Sequence, residues 1–362
     1  MFRKVFLSKS FSRGYASSPG GSHDIKVFDR HVKLLQKERA AKHPDSKFVE
    51  YLRDEINRRT IDRLAFVKTD FEKVMDFGAH SGNFERLLCD PSKDETNPQW
   101  KADRELIKSK IKKILLVESS ESMLYKDMDS AFNKEMNIER IVADEEYCDI
   151  PQLSEANQYD LIVSNLSMHW INDLPEVFKR LYNCLKPDGC FMGSMFGGDT
   201  LFELRTSLQL AEIERYGGIS PRVSPFVESS DIGNLMQKAG FQMLTVDAEE
   251  LIVDYPHVLA LMEDLQLMGE NNSVIMNPPP LTKDLLIALE PIYKELHGDK
   301  KTGHLPATFR FVYMIGWKPG KYLAKPAKRG SGSVSLQDAL DGVTTATTTL
   351  TEDEEPPCKD KK

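Results

Sequence analysis

Apolar residues along this chain come in two rhythms. Short, nearly unbroken runs at 74–77, 114–117, 138–142, 159–164 and 190–196 read as buried strands. Between the last two, Leu174, Val177, Phe178, Leu181 and Leu185 recur at three- and four-residue steps, the spacing of one apolar helix face. Another helix opens after the first run, at Phe84-Glu85-Arg86-Leu87-Leu88, and Lys186-Pro187-Asp188-Gly189 has the chemistry of a turn. Further on, the pattern predicts helices over 200–216, closed by Gly217-Gly218, and over 231–239, closed by Gly240. A helix at 255–267, apolar on one face, is expected to cover the sheet edge, and strands at 241–246 and 309–317 complete the series. Strand and helix in alternation predict an α/β fold, a mostly parallel sheet with helices on both faces.

Two stretches lack this rhythm. Residues 90–113 are polar and Lys-rich and read as a surface insertion. From 321 to 362 the periodicity is lost, and runs such as Glu352-Asp353-Glu354-Glu355 cannot bury enough surface to offset ordering entropy, so a disordered tail is expected. The first 23 residues carry Arg3, Lys4, Lys9 and Arg13, six serines and no acid, with Phe2, Val5, Phe6, Leu7 and Phe11 forming an apolar helical face. That composition is the signature of a mitochondrial transit peptide, which leaves residues 24–320 as the folded domain.

Composition narrows the function. A net charge of −8 and a pI near 5.6 argue against a nucleic-acid binder. No apolar stretch approaches the roughly 18 residues that a membrane span needs. The five cysteines are scattered in no zinc-binding spacing and read as reduced thiols, mostly buried.

Candidate chemistry gathers at the strand ends. Asp76 closes the first run and leads into Gly78-Ala79-His80-Ser81-Gly82, a strand–loop–helix junction of the kind that builds a nucleotide pocket. The usual G-x-G-x-G spacing has His80 at its middle position, where a glycine would allow close backbone approach and positive φ. The imidazole either fills part of the pocket or points to solvent. Glu118, at the end of the second strand, is placed to accept both hydroxyls of a ribose. Asp76 could reach an ammonium group, and Asp144, after the third strand, an adenine amino group. Replacing Glu118 by Ala is then expected to weaken adenosyl binding about ten- to a hundredfold with little loss of stability.

These residues resemble the class I S-adenosylmethionine-dependent methyltransferases, whose Rossmann-like sheet has seven strands, the last antiparallel. The glycine loop, Glu118 and Asp144 match that pattern. Ser164-Asn165-Leu166-Ser167-Met168-His169-Trp170, with the residues on to Pro175, resembles the mitochondrial complex I assembly-factor branch of the superfamily. So do Phe196-Gly197-Gly198-Asp199-Thr200, running on to Arg205, Met262-Glu263-Asp264-Leu265 through Gly269, Val27-Phe28-Asp29-Arg30, and Tyr313 through Lys318. The biotin-pathway malonyl-carrier O-methyltransferases are similar at a greater distance. The resemblance implies a matrix protein, with no membrane span and able to sit peripherally on the inner membrane, that acts on a core subunit of NADH:ubiquinone oxidoreductase (complex I). Its implied chemistry is hydroxylation of an arginine, and its implied cofactor is S-adenosylmethionine, held by Asp76, Gly78, His80, Gly82, Glu118, Asp144 and Asn165. The departure from the branch is its D-L-G-C-G-x-G loop, which here has Ala79 for the cysteine and His80 for the middle glycine. A binding module with a degenerate cofactor site, or a plain methyltransferase, remains an open alternative.

For catalysis, His169 could serve as a general base or be a structural ring packed under Trp170. Asp199 and Glu203 follow the fifth strand, where this fold admits substrate, and either could pair with an arginine. Their plainer roles would be a helix N-cap for Asp199 and a solvated face for Glu203. No facial set of metal ligands stands out among the eight histidines.

Overall fold

In a computed structural model, residues 26–90, 98–147, 150–276 and 278–322 are described. The transit-peptide reading, and the tail from 323 on, fall outside them. Seven strands, β1 (Phe71–Phe77), β2 (Ile111–Glu118), β3 (Ile138–Val142), β4 (Tyr159–Asn165), β5 (Leu185–Phe196), β6 (Gln242–Tyr255) and β7 (Leu305–Trp317), lie in the order β3-β2-β1-β4-β5-β7-β6. Only β7 runs against its neighbours, pairing antiparallel with both β5 and β6. This is the expected sheet.

Helices cover both faces. They are α1 (Arg30–Lys42), α2 (Tyr51–Leu64), α3 (Asn83–Cys89), α4 (Pro98–Lys110), the single turns α5 (Glu121–Leu124), α6 (Phe132–Glu135) and α7 (Pro151–Ser154), α8 (Leu174–Cys184), α9 (Phe202–Tyr216), α10 (Ser229–Ala239), α11 (Val258–Met268) and α12 (Lys283–His297). Strand alternation divides the core. Met75, Phe77, Leu115, Val117 and Ile162 pack with α8 and α10, whereas Val74, Ile114, Leu116, Leu161 and Val163 pack with α2, α3 and α4. A third cluster, over the ends of β5, β6 and β7, joins α9, α11 and α12.

Several expectations change. The supposed insertion at 90–113 holds α4, whose Trp100 and Ile107 are buried, and the first residues of β2. Lys186-Pro187-Asp188-Gly189 is no turn ahead of a strand. It lies within β5, with Asp188 at φ 65° and a shift in the register against β4. The sixth strand extends to Tyr255, so that residue ends a strand, and the helix after it starts at Val258. Gly217 and Gly240 close α9 and α10 in the left-handed conformation, as expected. The helices α1, α2 and α12 have no counterpart among the sequence-based expectations. Among the described residues no helix is long and apolar enough to cross a membrane. Cys184 and Cys190 are buried free thiols.

Candidate functional site

The carboxyl ends of β1, β2 and β4 meet the glycine loop. Gly78 has φ 78°, and a Cβ there would lie 2.2 Å from Ser167 Oγ, so only glycine fits. His80 takes φ 51°, the left-handed conformation a middle glycine would supply. Its ring is buried, contrary to the solvent-facing alternative, and Nε2 donates to the Leu166 carbonyl at 3.1 Å. Burial pushes the imidazole well below its ordinary range, so it stays neutral.

Asp76 is also buried. Burial, together with the charges of Glu85 and Glu118, pushes its carboxyl well up, and burial pushes Glu85 on α3 up to about 7. The donors facing the Glu85 carboxyl are its own backbone amide and the proton that Asp76 retains. Asp76 is therefore poorly placed to hold an ammonium group as an anion.

Helix α1 enters this cleft. Lys37 Nζ lies 2.7 Å from Glu118 Oε1 and 3.2 Å from Glu145 Oε1. Glu118 accepts three more hydrogen bonds, from Ser119 Oγ (3.0 Å), the Ser120 amide (3.1 Å) and the His80 amide (3.1 Å). Arg30 pairs with Asp144 at 2.8 Å and with Glu145. Burial works against a charged Glu145, yet Lys37 and Arg30 hold it well below the carboxylate range. Two acids read as nucleoside contacts, Glu118 and Asp144, are thus bonded to this chain's own cations. Asn165 is committed too. Its Oδ1 accepts from Thr60 and Ser194, and its Nδ2 donates to Asn57 at 2.7 Å, which ties α2 to β4 and β5. The glycine loop fits an adenosyl group in its backbone, but Glu118, as it stands, does not fit a ribose.

On the other side of β4, Met168–Trp170 forms a 3-10 turn. His169 Nε2 donates to Glu270 Oε2 at 3.1 Å, and Trp170 Nε1 donates to the same oxygen at 2.7 Å. Burial pushes His169 below its ordinary range, although Glu270 pulls the other way, so the ring is neutral. Burial also opposes charge on Glu270, but the bond from His169 and the Arg53 guanidinium keep it ionised. Its Oε1 faces Arg53 Nη2 at 3.6 Å, beyond hydrogen-bond reach. Lys33 lies 3.4 Å from the centre of the Trp170 ring and donates to the carbonyls of Gly269 (3.0 Å) and Asn271 (2.6 Å).

Beside Glu270 opens a cavity of about 440 Å³, walled by Leu204, Leu208, Val223, Phe226 and Leu265. Arg222 closes part of it. Its Nε donates to Glu212 (2.7 Å) and its Nη1 to the Pro279 carbonyl (2.6 Å), while Nη2 is buried without a partner. Asp199 and Glu203 do not join this site. Asp199 is exposed and pairs with Arg310 at 2.6 Å; it does not cap α9, whose N-cap is Leu201 in the left-handed conformation. Glu203 is buried rather than solvated and accepts from the Thr308 amide and hydroxyl, pinning α9 to β7. Among the described residues no group of three or more His, Cys, Asp or Glu side chains is arranged to hold a metal ion.

Sequence reasoning missed Lys33, Lys37, Glu145, Arg222 and Glu270. Glu270 directly follows the Met262–Gly269 stretch that carries the resemblance, which is the nearest thing to a signal. A profile described as a methyltransferase domain matches residues 48–246. The chain is 41% identical to the mitochondrial arginine-hydroxylase NDUFAF5 of Danio rerio over 90% of its own length and 92% of the relative's. It is 40% identical to the Homo sapiens protein of that name, over 88% and 86%. A malonyl-acyl-carrier-protein O-methyltransferase of Methylovorus sp. is 28% identical over 76% and 85%. Among solved structures, a putative methyltransferase of Bacillus halodurans overlays with a TM-score of 0.45 at 13% identity, covering 72% of this chain and 98% of that one.

Proposed function

Since the chain belongs to the mitochondrial NDUFAF5 arginine-hydroxylase family and carries a methyltransferase domain, we propose that it hydroxylates an arginine of a complex I core subunit in the mitochondrial matrix. Residues 1–23 would direct it there. The observation that carries this reading is the cavity running to Glu270. An arginine side chain needs an apolar trough for its methylenes and a carboxylate for its guanidinium. Leu204, Leu208 and Phe226 form such a trough, and Glu270 Oε1 has the unused acceptor capacity. His169 and Trp170 are positioning residues that fix the Glu270 carboxylate through Oε2. The unpartnered Arg222 Nη2 is suited to a main-chain carbonyl of the substrate.

Hydroxylation replaces C–H by C–OH. With dioxygen as oxidant, the second oxygen atom leaves as water, and a reductant outside this chain supplies two electrons and two protons. S-adenosylmethionine, when bound, would supply an electrophilic methyl group, and the residues that would hold it are Gly78, Gly82 and, once released by Lys37, Glu118.

The test is a null strain restored with the parent chain or with Glu270→Gln. The parent is expected to restore assembled complex I and a subunit peptide heavier by one oxygen atom, and the variant to lose the oxygen. Normal assembly with unchanged peptide masses in the null strain would sink the proposal. The engagement of Glu118 by Lys37 favours a second reading, a subunit chaperone without catalysis. Its mark is failed assembly in the null strain, rescued by the parent with no added oxygen.

A further inference from the structure

The four donors on Glu118 leave little room for a ligand. A carboxylate offers about four lone-pair sites. Oε1 already receives Lys37 Nζ, Ser119 Oγ and the Ser120 amide, and Oε2 receives the His80 amide. At most one place remains, on Oε2, where the His80 Nδ1 stands 3.9 Å away without a hydrogen-bond partner. A ribose presents two hydroxyls. The Ser120 and His80 amides belong to the backbone that shapes the cleft, and the single proton of Ser119 Oγ can turn to Glu145 Oε1 at 3.1 Å, so the donor whose bulk stands in the way of a ribose is Lys37. It is 3% exposed, and its helix is held independently by Arg30 on Asp144 and Glu145 and by Glu38 on Ser120 and Ser122.

We propose that Lys37 is a built-in occupant of the nucleoside site, standing where the ribose hydroxyls would be received, and that an adenosyl ligand enters only by displacing it. Lys37 thereby sets the affinity of the cleft, and α1 responds to ligand. This rests on the adenosyl reading of the cleft. The cost of displacement is large, because withdrawing one member of a buried, hydrogen-bonded pair leaves the other uncompensated unless the ligand satisfies it. The ribose hydroxyls satisfy Glu118, and Arg30 still satisfies Glu145.

The experiment is calorimetry on the full chain with adenosine, S-adenosylhomocysteine and S-adenosylmethionine. The variants are Lys37→Met, Lys37→Arg and the charge-balanced Lys37→Met with Glu145→Gln. Both Met variants are expected to bind all three ligands roughly tenfold tighter or more, with Lys37→Arg close to the parent. Tightening confined to the cationic S-adenosylmethionine would signal a general charge effect and overturn the proposal. If the parent binds adenosine and the Met variants bind it no better, displacement is refuted while the adenosyl reading survives. If no variant binds any of the ligands, both fall. Should the Met variants fail to fold, hydrogen exchange on the parent decides the matter. Saturating adenosine is expected to speed exchange of the amides over Arg30–Lys42, and slowed or unchanged exchange there refutes displacement.

Discussion

Asp76 and Glu85 set two carboxyl groups against each other at the end of β1, with a retained proton between them. Glu85 holds its proton to about 7 in the fold, against an ordinary value of 4.5. Below the ordinary value both folded and unfolded chains are protonated. As pH rises from there to about 7 the unfolded chain releases a proton that the folded one keeps, so stability falls through that window. Glu85→Gln removes this loss. The variant is expected to gain on the parent by about 3 kcal/mol between pH 4.5 and pH 8, read from urea midpoints; an equal difference at both pH values counts against the shared proton. Residues of this kind divide by legibility. Asp76, Gly78, Gly82 and Glu118 were readable because strand ends and positive-φ turns have local signatures. Glu85 was not, since an acid in the first turn of a helix reads as ordinary N-terminal charge. His80 was readable as a departure, but whether its ring lay inside depended on Leu166, distant in sequence.

Helix α1 shows the same limit one level up. Its apolar periodicity is weak because the side chains it buries include Lys33 and Lys37, and the acids that pair with Lys37 lie more than 80 positions away. Helix α4 escaped notice for a related reason, its buried Trp100 and Ile107 standing among lysines. Strands β1, β2, β4 and β5 were legible because burial on both faces forces continuous apolar runs. β6, half-exposed along its length, announced only its first residues. The ion pairs make α1 costly to disturb. Arg30→Ala leaves Asp144 and the fully buried Glu145 without their guanidinium, and it is expected to lower unfolding free energy by about 3–5 kcal/mol. Equilibrium denaturation measures this, and a loss under about 1 kcal/mol would place the pairs with ordinary surface bridges. By the same logic Glu118→Ala is not the mild change the sequence suggested, because it strips Lys37 of its nearer partner.

At the scale of the whole molecule, the sheet order puts the glycine loop and the Glu270 cavity on opposite sides of the β4 end. The seven-stranded plan was legible from the sequence. The cavity was not, since its lining comes from α1, α9, α11 and the loops at 222–226 and 270–281, which no single window contains. Peptides that differ only by arginine or uncharged citrulline test its specificity. The parent is expected to prefer arginine by roughly tenfold or more, and Glu270→Gln to lose most of that preference. Equal affinities in the parent would remove Glu270 from substrate recognition. One further consequence lies in the spacing of two lysines. Lys33 and Lys37 are one turn apart on α1, so they share a face of a single stiff rod. One is moored to the carbonyls of Gly269 and Asn271 on either side of Glu270, the other to Glu118. A rod moored at both ends transmits a tug. A nucleoside that unseats Lys37 pulls on the loop holding Glu270, and thermodynamic reciprocity requires the peptide to alter nucleoside affinity by the same factor. Titrating each ligand with the other present reads that factor from both directions, and a factor of one from either side would mean that α1 bends between its two moorings.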